Sequence, residues 1–430
     1  MKKVLVIGGG FAGLSAASFL AANNFQVELI EASPKLGGRA YSFSDSKTRT
    51  VIDNGQHILM GCYSYTIDFL NLIGAFQNII FQKNLKVNFV NQNFQIHQLS
   101  ADRFFYPFNL LSSILKFKAL KYSERISIVK FFLKIFFQQG SELLHLSVSD
   151  LLDKENQNEN TRKAFWNILI LGSLNCGPGK ASAKIFTDIL KEIFFKGNLS
   201  STIILPKYGL SETFCEPAKK FIEQNGGSIS LSESVQELNI ENDKVVRLLT
   251  NKRTISDFDF VISSIPLFAL EKLNIAALKI PKYSFEYSTI LTVHLWLKEN
   301  NLADEFYGLI DSPVHWVFNK STHLTLVISD ADYLNEKSKE EILELATTEL
   351  QKYLLIPKEK IIHYKILKEK RATFIPSNSI INKRPSTKTN IKNLFLAGDW
   401  IDTGLPSTIE SAVKSGWIAF TEIEHQVVGK

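Results

Sequence analysis

Cysteine is scarce in this sequence. Only Cys62, Cys176 and Cys215 occur in 430 residues, an odd number with no CxxC spacing. That argues against a disulfide framework and for a reducing, cytoplasmic compartment. No uncharged apolar run reaches the roughly 18 to 20 residues that span a bilayer, so any membrane contact is expected to be peripheral, on the inner face. There is no HExxH, no GxSxG and no Cys/His cluster, so metal and serine hydrolysis have no motif and no metal site is expected. Repeats and low-complexity tracts are missing, and the polar run at 154–160 reads as a surface loop. A net charge of +6 is too dilute over this length to argue for nucleic acid, although it modestly favours anionic surfaces.

What is abundant is phenylalanine, 32 residues, which points to greasy internal surfaces. The length suits two lobes, each with its own core.

The amino terminus outlines a signal peptide, but its glycine spacing is better explained otherwise. Lys3 to Ile7 reads as a buried strand, followed by Gly8-Gly9-Gly10-Phe11-Ala12-Gly13 and then a helical pattern. Gly8 allows the tight turn, Gly10 lets the backbone approach a pyrophosphate, and Gly13 lets the helix lie close to the strand. A second strand, Gln26 to Ile30, ends in Glu31, 18 residues past Gly13 and close to the roughly 20 expected for a ribose-binding acid. This unit predicts dinucleotide binding and leaves FAD and NAD open.

Two other segments favour a flavin. Ala32 begins a loop whose Gly37-Gly38 pair allows close backbone approach and whose Arg39 can meet phosphate or flavin oxygens. Asn393 to Asp399 reads as a strand delivering Asp399 at its carboxyl end, where a ribityl-type hydroxyl would bind. Ser407-Thr408-Ile409-Glu410 then has capping-box spacing, aiming a second helix amino terminus at the site.

Together these residues resemble the flavin amine oxidase and phytoene desaturase superfamily. Within it, Asp53-Asn54-Gly55-Gln56-His57 followed by Gly61-Cys62-Tyr63, the stretch Leu205 to Glu212, and Gly398 to Glu410 are similar to the squalene-associated branch, the hydroxysqualene dehydroxylases. The resemblance spans nearly the whole chain. It implies an α/β fold with a Rossmann-like, glutathione-reductase-type FAD lobe (1–85, 205–266 and 391–430) interleaved with an α+β substrate lobe (86–204 and 267–390), as in amine oxidases. It also implies noncovalent FAD and reduction of an allylic triterpene alcohol to squalene on a hopanoid or related triterpenoid route. A cysteine where covalently flavinylated members carry one is missing. No second glycine-rich fingerprint marks a nicotinamide site, which leaves the electron donor open.

The resemblance assigns FAD contacts to Gly8, Gly10, Ala12, Gly13, Glu31, Ala32, Gly38, Arg39, Asp399, Thr408 and Ile409. Val235 aligns with a position whose backbone touches adenine, and it reads equally as a core valine. His57 and Asp53 are the candidates for protonating a departing hydroxyl, because their segment should follow the flavin-contacting loop. A structural role for either, holding the loop, stays open. Two alternatives keep or discard the chemistry: a carotenoid desaturase with reversed redox sense, and a non-enzymatic carrier of prenyl lipids.

In the segment 123–138, Ser127, Lys130, Lys134 and Gln138 form one narrow polar stripe, with Ile, Val, Leu and Phe covering the rest. Two readings fit: a helix buried between neighbours, or one that lines a lipid-sized tunnel or dips into a membrane surface. Phe104-Phe105-Tyr106-Pro107-Phe108, just upstream, adds apolar surface.

Overall fold

The structure is a computed structural model that describes every residue except 138–139, 274, 281–284 and 430. Gln138, the last member of the polar stripe, lies outside the described residues.

The run Lys-Val-Leu-Val-Ile forms strand β1 (Lys3–Ile7), a turn follows, and helix α1 (Phe11–Ala22) leads back to strand β2 (Gln26–Ile30). β1 and β2 are the centre of a five-stranded, wholly parallel sheet. Ser228–Ser230 pairs with the outer side of β2, Phe260–Ser263 with the other side of β1, and Leu394–Leu396 closes the far edge. A parallel sheet covered on both faces favours near-continuous apolar strands, which is why β1 reads as a run and not as an alternation.

The period of two still divides the faces. Val4 and Val6 pack with α1 and the carboxy-terminal helix Ile409–Val428. Leu5 and Ile7 pack with Leu238, Val245, Leu248 and Ile255 of a small antiparallel sheet spanning 235–255. α1 and the carboxy-terminal helix come close because Gly416 has no side chain; a Cβ there would lie 2.5 Å from the Ala12 carbonyl oxygen.

A second, seven-stranded sheet has as its longest pair Tyr287–Leu297 and Ile361–Phe374. Leu291, Val293 and Leu295 face the helix Lys339–Leu354, whose Ile342, Ala346, Leu350 and Tyr353 are fully buried. Burial of each such side chain contributes about 1.5 to 3 kcal/mol. Alternation then turns Thr292, His294 and Trp296 to the opposite face.

Between the two sheets run strands β3 (Ser42–Ser44) and β4 (Val51–Asp53), paired antiparallel, followed by Leu59–Met60, which pairs with Ile203–Pro206. Helix α2 (Ser64–Leu72) comes next, and helices α3 (Phe108–Lys116) and α4 (Tyr122–Phe137) belong to a Phe-rich cluster with Phe165, Trp166 and Phe186. α4 is dry only along Ile128, Phe131, Phe132 and Ile135; Leu133, Phe136 and Phe137 are exposed, so full burial of this helix does not hold. No helix among the described residues is long and apolar enough to cross a membrane. All three cysteines are free.

Candidate active site

The glycine turn at the carboxyl end of β1 is built by close contacts. Gly8 has φ +104°, a conformation that L side chains rarely adopt, and its N–H donates to Ile30 O at 2.8 Å. A Cβ on Gly13 would sit 1.9 Å from Gly8 O, so only glycine lets α1 begin where it does. Gly10 is the N-cap of α1 and offers no side-chain cap, while the nearest atom to a Cβ there would be Gly38 Cα at 3.9 Å. The amino terminus of a 12-residue helix therefore opens, uncapped, onto free space beside a second glycine. That is a cradle suited to a pyrophosphate. Ala12 lies buried in the first turn of the same helix.

Glu31 stands at the end of β2 over this turn. Its carboxylate accepts from the Gly9 N–H at 2.6 Å and the Ser33 N–H at 2.7 Å, which fixes its orientation while part of it stays accessible to hydroxyl donors. Ala32 is exposed on the loop beyond it. The chain at 232–233 crosses here, with Ser232 N–H donating to Ser33 O and Glu233 N–H to Glu31 O, so Val235 begins its strand close to Glu31. The loop carrying Gly38 docks on the turn through the Gly37 N–H, which donates to Gly9 O at 2.8 Å.

Arg39 and Asp399, 360 residues apart, form an ion pair with Nη2 to Oδ1 at 2.5 Å, and Arg39 Nη1 donates to Ala372 O at 3.0 Å. Asp399 is buried and also accepts from Ser407 Oγ. Thr408, not Ser407, caps the carboxy-terminal helix, its hydroxyl accepting from the Ser411 N–H; Ile409 is the first helical residue. The expected capping box does not form. Glu410 instead turns away to accept from the Tyr65 and Thr66 N–H groups and Thr66 Oγ1, so it caps the amino terminus of α2.

The Asp53 to His57 segment sits between β4 and Leu59–Met60. Asp53 Oδ1 accepts from Ser42 Oγ at 2.7 Å and the Leu210 N–H at 2.9 Å, and burial raises its pKa against those bonds. A Cβ on Gly55 would come 3.7 Å from Thr292 Oγ1 and 4.0 Å from His57 Nε2, so the turn lies over the strand Tyr287–Leu297. His57 makes no side-chain hydrogen bond among the described residues. Burial first, and the nearby Arg39 charge second, hold its pKa down to about 4. The imidazole is therefore neutral at pH 7.

Three residues that sequence reasoning did not single out complete the site. Asn54 is buried and clamps the end of the loop that carries Gly38 and Arg39: its Oδ1 accepts from the Tyr41 N–H at 2.9 Å and its Nδ2 donates to Arg39 O at 2.8 Å. His294, on the second sheet, reaches Asp53 O with Nε2 and Thr325 Oγ1 with Nδ1, each at 3.0 Å, and burial depresses its pKa to about 3. Arg384 is buried under the 399–405 turn and donates to the carbonyls of Asp399 (3.0 Å), Ile401 and Leu405 (2.7 Å). An asparagine inside a polar run flanked by apolar strands is a signal that could have found the first. His294 lies 241 positions from the carbonyl it holds, and Arg384 15 to 21 positions from its own, across a turn whose path the sequence pattern does not give.

The model of the family described as "Flavin containing amine oxidoreductase" matches residues 11–423. Among curated proteins, the chain is 29% identical to a hydroxysqualene dehydroxylase of Sinorhizobium fredii over 96% of both chains. It is 27% identical to one of Zymomonas mobilis, over 97% of this chain and 98% of the relative. A 15-cis-phytoene desaturase of an Oncidium hybrid is 24% identical over 96% of this chain and 76% of its own. Among solved structures, an oxidoreductase from Methanosarcina mazei superposes with TM-score 0.74 at 17% identity, covering 100% of both chains. A putrescine oxidase variant gives TM-score 0.73 at 14% identity, covering 99% of both chains. With the glycine cradle, the placed acid and the family match all in one chain, the protein belongs to the flavin-containing amine oxidoreductases and is an FAD-dependent oxidoreductase.

Proposed function

We propose that this protein reduces hydroxysqualene to squalene, replacing an allylic hydroxyl with hydride, in hopanoid or related triterpenoid synthesis. The observation that carries the reading is the likeness to hydroxysqualene dehydroxylases at 27 to 29% identity over at least 96% of both chains, whereas the desaturase cited above is 24% identical. Residues 1–85, 205–266 and 391–430 are taken as the FAD lobe, and 86–204 and 267–390 as the substrate lobe. The parallel sheet supports this division, since its strands come from those three FAD segments.

In this reading Glu31 holds the adenosine ribose hydroxyls, Gly8, Gly10, Ala12, Gly13 and Gly38 leave room for the pyrophosphate at the start of α1, and the backbone at Ala32 and Val235 flanks the adenine end. Arg39, Asp399, Thr408 and Ile409 bound the flavin end. Reduced FAD supplies the hydride. The protein's own tasks are to keep the site dry, to orient the allylic carbon, and to protonate the departing oxygen.

Asp53 and His57 remain the acid candidates, and their shifts run in opposite directions. Burial favours a retained proton on Asp53 and its loss from His57. At pH 7 a group with pKa about 4 is protonated roughly once in 1,000 molecules, so His57 serves as a neutral hydrogen-bonding group, and the direction of the shift at Asp53 makes it the first acid to test. The test is product analysis with chemically reduced enzyme and hydroxysqualene, run beside oxidised enzyme with phytoene. Squalene from the first and no desaturated product from the second support the reading; the reverse pattern overturns it in favour of the desaturase.

A further inference from the structure

The two most exposed aromatic sites among the described residues, Phe104-Phe105 and Phe136-Phe137, are both anchored at the end of the helix Ala183–Phe194. Phe104 and Phe105 are 70% and 74% exposed, and Phe136 and Phe137 are 53% and 79% exposed. Phe105 packs edge-on against Phe108 with centroids 5.4 Å apart. Tyr106 Oη then donates to Phe194 O at 3.2 Å, which ties this turn to the end of the helix Ala183–Phe194. From the other side, Phe136 sits 5.0 Å from both Phe195 and Phe137. A loop tip and a helix end thus carry exposed aromatic rings to either side of the same post-helix turn, a cluster and not scattered single residues.

The charges along this stretch are mostly positive. Residues 101–137 hold seven Lys or Arg and two Asp or Glu. One of the acids, Glu124, is buried and accepts from the Lys121 N–H, Asn158 and Asn160. Lys116 Nζ lies 5.5 Å over the Phe104 ring. Lys118, Lys121 and Lys130 are exposed nearby. Protruding aromatic rings ringed by lysines match the boundary between acyl chains and anionic headgroups, where rings bury and amines stay at the phosphates.

We propose that this face docks the protein on an anionic lipid bilayer, lying on it and not crossing it, so that an apolar substrate is drawn from the membrane. The purpose assigned to the face rests on the proposed lipid substrate; the docking itself does not. Flotation of the FAD-loaded, full-length protein with vesicles tests it, using phosphatidylglycerol mixed with phosphatidylcholine, or phosphatidylcholine alone. The protein is expected to float with the anionic vesicles and at least tenfold less with the neutral ones. The Phe104→Ser/Phe105→Ser/Phe137→Ser variant is expected to lose flotation at least tenfold while keeping its flavin spectrum, because all three rings are outside the core. Lys118→Glu/Lys121→Glu is expected to weaken it at low salt. Unchanged flotation of the aromatic variant, equal flotation with neutral vesicles, or a dimer that the same substitutions dissociate would each overturn the proposal. Turnover of detergent-dispersed hydroxysqualene reports separately on the dehydroxylase reading, so either can fail without the other.

Discussion

Asn54→Ala isolates the clamp on the flavin loop. The substitution removes two side-chain hydrogen bonds, to the Tyr41 N–H and the Arg39 carbonyl, at a residue only 8% exposed. At about 0.5 to 1.5 kcal/mol net for each bond, the loss is about 2 kcal/mol. Within residues 38–41 only the small Ala40 side chain enters the core, so most of that cost should be recovered by letting this segment move. It then falls due again when FAD orders them. A cost of about 2 kcal/mol moved into the binding step weakens FAD by roughly 30-fold. Titration of apoprotein with FAD, followed by quenching of flavin fluorescence, reads this directly, with urea unfolding of the apoprotein as the control. FAD affinity within twofold of the parent would refute the clamp.

Three further outcomes follow from the same contacts. Glu410→Ala removes the carboxylate that accepts from the α2 amino terminus, and about 3 kcal/mol of stability should go with it, read as a lower urea midpoint. His294 and His323 are buried with pKa values held down by burial to about 3 and about 4 against an ordinary 6.5. A depressed folded value means that stability is full above pH 6.5 and is lost as the pH falls through the folded values. Acid unfolding should therefore develop between pH 6.5 and about 4, and His294→Gln should flatten that slope. Asp53→Asn should abolish turnover with FAD still bound, whereas His57→Gln should lower it by roughly 10-fold or less, since a neutral imidazole is not the proton reservoir; equal loss in both variants would reverse the assignment.

The first strand, glycine turn, helix and second strand were legible because their constraints are local. Gly8, Gly13 and Glu31 are dictated by one turn and two adjacent strands, so spacing alone carried them. His294 was not legible, because it reaches the Asp53 carbonyl across 241 positions; Asn54 and Arg384 act on backbone 13 to 21 positions away, but across irregular loops that carry no periodic pattern to read. Ser407 and Thr408 both satisfy cap chemistry, and only the path of the chain decides which residue accepts. Glu410 went to α2 because that helix lacked a side-chain cap of its own. On α4, hydrophobic content on nearly all sides predicted a dry helix, but the neighbours cover only the Ile128, Phe131, Phe132 and Ile135 face. Composition records which residues prefer to leave water; it does not record whether protein or lipid receives them.

The central claim is most directly tested by a single anaerobic turnover. Protein carrying fully reduced FAD is mixed with hydroxysqualene, and return of the oxidised-flavin absorbance is followed while squalene is quantified. One squalene formed for each flavin reoxidised is the predicted result. Flavin that stays reduced in the presence of hydroxysqualene, with no squalene formed, would contradict it.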